Sequence, residues 1–235
     1  MIPLKDDAPR FNTPYVTYFL IAANVVVFLF EVMLAPSSRT AFIFQFGLVP
    51  ARLTEFLAGA PIPVDVTFLP VLTSMFLHGS WLHLIANMWA LWIFGDNIED
   101  YLGHGLYLFF YLLSGVAASA LHTIFNVGST VPSVGASGAI AGIMGAYFLL
   151  YPAARVLTLV PFFFVFFVRL PAWVVLGYWF VAQFLSGAAT SIATTTARAA
   201  GGIAFWAHVG GFVAGLIMIK LLPHRPRRYH YGSWE

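Results

Sequence analysis

Residues 135–146 read GASGAIAGIMGA, an apolar run of small side chains with a single serine, Ser137, near its start. Within this run Gly138 and Gly142 are four residues apart, so they share one face of a helix. Faces built from small residues let a second helix approach the backbone closely, which is typical of helices inside membranes. The run therefore predicts a membrane helix that packs tightly against a second helix and carries a polar side chain in its first turn.

The composition of the whole chain supports a membrane location. Of its 235 residues 60% are hydrophobic and only 9% are charged, whereas soluble domains carry about 25% charged residues. The net charge is +2 and no basic run is interleaved with aromatic residues, so we expect no nucleic-acid partner. The chain has no cysteine, which excludes disulfides and thiolate metal sites.

Six apolar stretches are long enough, or nearly so, to cross a bilayer as a helix, which takes about 20 residues. They are residues 15–35, 81–95, 104–125, 135–151, 159–185 and 203–222. The second and fourth are short, so we expect each to begin inside the bilayer, where irregular backbone is tolerated only if it lines a cavity or is buried in protein. The sequence thus predicts an all-α membrane protein with one six-span domain, residues 15–222, between an N-terminal segment, 1–14, and a basic tail, 223–235.

The connections between the stretches are unequal in length. Residues 36–80 form a long loop interrupted by prolines, and its apolar residues near 42–46 are expected to rest on the lipid interface. Residues 96–103 are predicted to be a short acidic turn. Residues 188–202 are small and polar, which predicts a mobile loop.

The distribution of basic residues predicts the orientation. An even number of spans places both termini on one side of the membrane. Eight basic residues then fall on the side of the termini and three on the other: Lys5, Arg10, Arg155, Arg169, Lys220, Arg225, Arg227 and Arg228 against Arg39, Arg52 and Arg198. Basic residues favour the cytoplasm, so we expect cytoplasmic termini and an outer location for the long loop and for Ser137.

A histidine in the sixth stretch is the candidate partner of Ser137. His208 stands beside Gly211 and Gly215, so this helix also has a face of small residues. A serine hydroxyl is a poor nucleophile until a neighbouring base takes its proton, and imidazole is suited to that role at neutral pH. We expect Ser137 to be the nucleophile and His208 the base, although each residue also fits a buried polar group that only joins helices.

Two further polar residues lie one turn apart in the second stretch. His83 and Asn87 are at i and i+4, so both side chains share one helical face. Both can donate hydrogen bonds to the oxyanion that forms during acyl transfer, or they join spans as a polar pair.

No carboxylate in the sequence completes a catalytic triad at this depth. Asp96, Glu99 and Asp100 fall at the far end of the second stretch, so the expected arrangement is a Ser–His dyad. There is no His-Glu-x-x-His run, and the spans lack the two aspartates that an aspartyl mechanism needs. We therefore expect no metal and no cofactor.

The order of these motifs resembles that of the rhomboid family of intramembrane serine proteases. The resemblance rests on His83-x-x-x-Asn87 in the second stretch, Gly135-x-Ser137-Gly138 at the start of the fourth, and Ala207-His208-x-x-Gly211-x-x-x-Gly215 in the sixth. Residues 132–142 and 201–215 look especially like bacterial members. The resemblance implies the six-span rhomboid fold, with a long, partly membrane-embedded loop between spans one and two, in the inner membrane of a bacterium.

The resemblance also implies roles for the site residues. Ser137 would attack a peptide carbonyl of a transmembrane protein substrate within the lipid bilayer, and His208 would act first as general base and then as general acid. The side chains of His83 and Asn87 and the backbone N–H of Ser137 would hold the oxyanion. His78 matches a histidine that often precedes span two in the family and has a supporting role.

The serine motif departs from the family pattern at one position. Gly135 and Gly138 match it and would support the serine. Some members carry an aromatic residue one turn after the serine, stacked on the catalytic histidine, but here that residue is Ala141. The stacking is therefore absent or supplied by another ring, such as Phe205 or Trp206.

Two other functions fit the sequence. A non-proteolytic rhomboid-like protein would bind transmembrane clients without cutting them. A small transporter or channel would use the polar residues within the spans as a path: Asn24, Glu31, His122 and Gln183.

Overall fold

The computed structural model describes residues 1–162, 164–192 and 204–225, and this part of the chain is mostly helical. Its strands are β1 (Ile2–Lys5), β2 (Arg155–Phe162) and β3 (Phe164–Pro171). Its helices are α1 (Tyr15–Met33), α2 (Pro36–Phe46), α3 (Pro50–Leu57), α4 (Val64–Thr73), α5 (Trp81–Leu102), α6 (His104–Phe125), α7 (Ser137–Leu150), α8 (Ala172–Ile192) and α9 (Phe205–Leu221). A 3-10 turn, Ser74–Phe76, follows α4.

Helices of two lengths make up the apolar bundle. Among the described residues α1, α6 and α8 are long and apolar enough to cross a membrane. The segment of α4 with the 3-10 turn and α5 makes a fourth candidate if this pair, bent by 76°, is one span. α7 and α9 are shorter apolar helices, of 14 and 17 residues. The all-α membrane class is confirmed, while the number of six spans stays a prediction.

The loop before α8 is a β-hairpin, so the predicted fifth span, residues 159–185, is wrong at both ends. β2 pairs antiparallel with β3, from Arg155 opposite Pro171 to Phe162 opposite Phe164, and α8 then runs from Ala172 to Ile192. The hairpin is rich in Val, Leu and Phe, which favour strands as well as apolar helices. Hydropathy alone cannot separate the two structures in such a run.

The N-terminal segment joins this sheet. β1 pairs antiparallel with β2, with Ile2 opposite Leu159. After β1 the carboxylate of Asp6 accepts a hydrogen bond from the Tyr147 hydroxyl of α7. Burial raises the pKa of Asp6 above its ordinary value. Residues 1–14 are thereby attached to the helix bundle.

α5 continues through the residues predicted to be an acidic turn, 96–103, and that prediction is wrong. The helix ends only at Leu102, before Gly103 with φ +81°. Acidic residues in the last turns of α5 bond to the chain at the start of α1. Glu99 accepts hydrogen bonds from the backbone N–H groups of Val16 and Thr17, both at 2.8 Å. The first N–H groups of any helix lack partners within it, and a carboxylate satisfies them well.

α7 and α9 pack through their faces of small residues, as the spacing of their glycines predicts. A methyl group at Gly211 would overlap the carbonyl oxygen of Gly138, and one at Gly215 would overlap that of Gly142. The backbones of the two helices are therefore in direct contact, which places the start of α7 beside the start of α9.

The long first loop folds against the segment that leads into α7. Its backbone exchanges two hydrogen bonds between Leu48 and Ser133, of 3.0 and 2.7 Å. Farther along, the carbonyl of Ser74 accepts a hydrogen bond of 2.8 Å from the N–H of Gly135. The loop thus fixes the backbone two residues before Ser137.

The two ends of the described chain meet on one side of the bundle. The Asn12 backbone N–H donates to Asp100 at 2.9 Å, and that of Arg225 donates to the Tyr101 carbonyl at 2.9 Å. Most of the predicted mobile loop, from 193 onward, and most of the predicted tail, from 226 onward, lie outside the described residues.

Candidate active site

The serine and the histidine singled out by the sequence are hydrogen-bonded to each other. Ser137 is the first residue of α7, and His208 lies in the first turn of α9, where it is 8% exposed. The Ser137 Oγ and the His208 Nε2 are 2.7 Å apart. This is the distance at which an imidazole can take the hydroxyl proton as the oxygen attacks.

The other nitrogen of the imidazole faces an amide. The His208 Nδ1 lies 2.7 Å from the Oε1 of Gln183, which belongs to α8. An amide oxygen can only accept, so this contact pairs with an imidazole that donates from Nδ1 and accepts from the Ser137 hydroxyl at Nε2. Sequence reasoning missed this partner, because it grouped Gln183 with a transport path, and a lone glutamine in an apolar helix does not indicate its neighbour.

The aromatic ring beside His208 is that of Trp179 in α8, and not that of Phe205 or Trp206. The ring centroid of Trp179 lies 5.5 Å from that of His208, with an angle of 38° between the planes. Trp206 instead stacks on Phe125, with centroids 3.7 Å apart. The expectation that Phe205 or Trp206 would replace an aromatic residue at Ala141 is therefore corrected to Trp179.

His83 and Asn87 lie against the loop that leads into Ser137. A methyl group built on Gly135 would be 2.7 Å from the His83 ring and 3.6 Å from the Asn87 Nδ2. Gly135 has φ +128°, a backbone conformation that side chains disfavour. Glycine is thus required here both by conformation and by space. Because Gly135 has no side chain, His83 and Asn87 can lie against the backbone two residues before Ser137.

His78 contacts both His83 and Asn87. Its Nε2 accepts a hydrogen bond of 3.0 Å from the Asn87 Nδ2, and its ring lies 5.0 Å from that of His83. Its own backbone N–H donates at 3.0 Å to Glu31, a fully buried residue of α1. The sequence did not predict a role for Glu31 next to the site, because the contact depends on how the first loop folds back.

A small polar cavity opens beside Ser137. Its volume is about 30 Å³, which is space for one or two water molecules. The polar part of its lining consists of Ser74, Ser119, His122, Ser133 and Ser137. Water therefore has a place next to the serine.

The polar residues suggested for a transport path do not form one line. Asn24 donates to the carbonyl of Leu20 in its own helix. Glu31 instead bonds to His78, and Gln183 bonds to His208. Within the described ranges no group of three or more His, Cys, Asp or Glu residues is arranged to hold a metal.

Fold and site together define a helical membrane protein in which a half-buried serine is hydrogen-bonded to a buried histidine. The family model described as the Rhomboid domain matches residues 66–225. The chain therefore belongs to the rhomboid family.

Individual relatives come from bacteria and mitochondria. The chain is 34% identical over 151 residues to "Rhomboid protease GluP" of Bacillus subtilis, covering 63% of this chain and 27% of that protein. It is 32% identical over 151 residues to "Rhomboid protein 1, mitochondrial" of Saccharomyces cerevisiae, covering 63% and 40%. With the human "Presenilin-associated rhomboid-like protein, mitochondrial" it shares 35% over 139 residues, covering 58% and 33%. The matched region is less than half the length of each of these relatives.

Proposed function

We propose that this protein is an intramembrane serine endopeptidase that cleaves transmembrane segments of other proteins with Ser137 and His208. The observation that carries the proposal is the 2.7 Å distance between the Ser137 Oγ and the His208 Nε2. Membership of a family that includes a named protease, GluP, supports it.

The chemistry follows from the contacts of the two residues. His208 takes the hydroxyl proton while Ser137 Oγ attacks the substrate carbonyl, and the same imidazole then protonates the leaving amine. Water from the adjacent cavity hydrolyses the acyl-enzyme, with His208 again as base. The amide oxygen of Gln183 faces the imidazolium that forms at each step.

The oxyanion would be held by three donors. The Ser137 N–H belongs to the first residue of α7 and so has no partner within its helix. The positive end of the helix dipole also favours negative charge at this place. The side chains of His83 and Asn87 approach from the other side, across Gly135.

The test of this function combines cleavage with active-site labelling. The full chain in proteoliposomes is expected to cut a model transmembrane substrate, and a fluorophosphonate is expected to label one residue, Ser137, as mapped by mass spectrometry. Absence of both cleavage and labelling, in protein that is folded by circular dichroism, would reject the proposal.

Loss of the Asn87 amide is expected to slow the chemical step. In Asn87→Ala, kcat should fall about 10²- to 10³-fold, because one oxyanion donor is removed, while KM stays close to the wild-type value. Steady-state kinetics on the same substrate measures both constants. Asn97→Ala is the matched control, since Asn97 is also a buried amide of α5 but bonds to Ala8 and Pro9 at the other end of the helix. Equal kcat losses in the two variants would contradict an oxyanion role for Asn87.

Substrate choice is expected to depend on how easily the substrate helix unwinds. Carbonyls bonded within a helix are not available for attack, so segments with Gly or other helix-weakening residues near the outer membrane face should be cut fastest. We expect a poly-leucine span of equal length to be cut at least about ten-fold more slowly. Equal rates for the two substrates would reject this preference.

We further propose that both termini face the cytoplasm, in the inner membrane of a bacterium, so that the site opens to the outer side. The excess of basic residues on the side of the termini supports this orientation. A reporter fused after Glu235 should be active only inside the cell, and activity outside would reverse the orientation.

A further inference from the structure

Two residues of α8, one turn apart, enclose the imidazole of His208. Gln183 Oε1 lies 2.7 Å from its Nδ1, and the Trp179 ring lies beside its plane with centroids 5.5 Å apart. On the opposite side Ser137 Oγ lies 2.7 Å from Nε2. The ring therefore has a defined contact at each nitrogen, and rotation about its Cβ–Cγ bond would break both.

We propose that Gln183 is a positioning residue that holds His208 in the Nδ1–H tautomer, so that its unprotonated Nε2 always faces the Ser137 hydroxyl. A neutral histidine carries its proton on either nitrogen, and the tautomer present is selected by the hydrogen bond that the other nitrogen makes. In serine hydrolases with a triad, a buried carboxylate provides this hydrogen bond. The catalytic consequence of the proposal rests on the proposed protease function.

An amide suits this place better than a carboxylate would. The histidine is buried among apolar helices, where an ionised carboxylate is costly. An amide oxygen has the same hydrogen-bonding geometry and carries no net charge. The site thus gains an oriented base without a buried ion, and the expected Ser–His dyad is extended by a third, uncharged residue.

A purely structural role for the same contact makes different predictions. If the bond only joined α8 to α9, its loss would lower stability, and activity would fall only as folded protein is lost. If Gln183 positions the base, its loss leaves the folded fraction unchanged and lowers the rate constant of the chemical step.

The test compares two replacements of Gln183, one that removes the acceptor oxygen and one that keeps it. Gln183→Met has a similar length but no strong acceptor, and Gln183→Glu keeps an acceptor oxygen in the same place. We expect kcat for a model transmembrane substrate to fall about 10- to 100-fold in Gln183→Met, with KM unchanged. The Glu variant should stay within about three-fold of wild type, a difference of about 0.7 kcal/mol. Tyr178→Phe is the control, because Tyr178 is an exposed residue of the same helix.

A second measurement does not depend on protease activity. Nitrogen NMR of ¹⁵N-histidine-labelled protein in micelles distinguishes protonated from unprotonated ring nitrogens, and the His208 signals are those that vanish in His208→Ala. At a pH where the imidazole is neutral, the wild type and the Glu variant should show only the Nδ1–H form. Gln183→Met should show a mixture of both tautomers.

The outcomes separate this proposal from the protease proposal. A wild-type protein with His208 in the Nε2–H form, or a Met variant that keeps both the Nδ1–H form and wild-type kcat, would overturn the role of Gln183. Equal loss of kcat in the Met and Glu variants, with wild-type folding, would overturn it as well. Absence of cleavage and labelling in the wild type would reject the protease function alone, because the NMR result still decides the role of Gln183.

Discussion

Replacing Ser137 or His208 by alanine is expected to lower the rate of substrate cleavage about 10³-fold or more, to the background of the assay. The two residues act as a unit through their 2.7 Å hydrogen bond, so removing either one removes the attacking oxygen or the base that activates it. For the same reason the double variant should be no slower than either single variant. Gel-based cleavage of a model substrate and fluorophosphonate labelling measure the loss.

Ser114→Ala is the matched control for this experiment. Ser114 is a buried serine of α6 that packs against Gly142, close to the site but without a contact to His208. The Ser114→Ala variant should cleave the substrate and be labelled by the fluorophosphonate as the wild type is. Full function of Ser137→Ala in cells would instead favour the non-proteolytic, client-binding alternative.

A valine at Gly211 is expected to unfold the site. Even one added methyl group would overlap the carbonyl oxygen of Gly138, so α7 and α9 must separate and carry Ser137 away from His208. Overpacking of this kind costs about 3 kcal/mol or more where backbone has to move. We expect a clear fall in the thermal unfolding midpoint in detergent, together with loss of labelling.

Gly177→Ala is the control for the glycine experiment. A methyl group there would meet only the Phe148 ring, at 3.6 Å, which is an ordinary contact. Its unfolding midpoint should remain close to that of the wild type. If Gly211→Val were equally stable, the backbone contact between α7 and α9 would not exist in solution.

The parts of the site that could be predicted from the sequence are those with a local signal. The four-residue spacing of Gly138 and Gly142 indicates a helix face, and the matching spacing of Gly211 and Gly215 indicates its partner. Burying a polar side chain in an apolar membrane helix costs free energy, so such residues usually have a functional role. These two arguments together bring Ser137 and His208 close to each other before any coordinates are known.

The parts that could not be predicted depend on tertiary contacts or on ambiguous hydropathy. Glu99 lies within α5 and its carboxylate caps α1, a contact that no pattern within residues 96–103 can reveal. The hairpin β2–β3 has the hydropathy of a membrane helix. The contacts of Gln183 and Trp179 with His208 depend on how α8 is rotated against α9, which the sequence does not show.

The separation of Ser137 from His208 along the chain has a consequence for biosynthesis. The two residues are 71 positions apart, so the ribosome, at about 5–20 residues per second, delivers the second one roughly 4–14 seconds after the first. Throughout that interval the nascent chain carries the Ser137 hydroxyl without the imidazole that would take its proton. Under the proposed protease function, the chain therefore becomes competent for cleavage only after His208 has been synthesised and α9 has packed against α7.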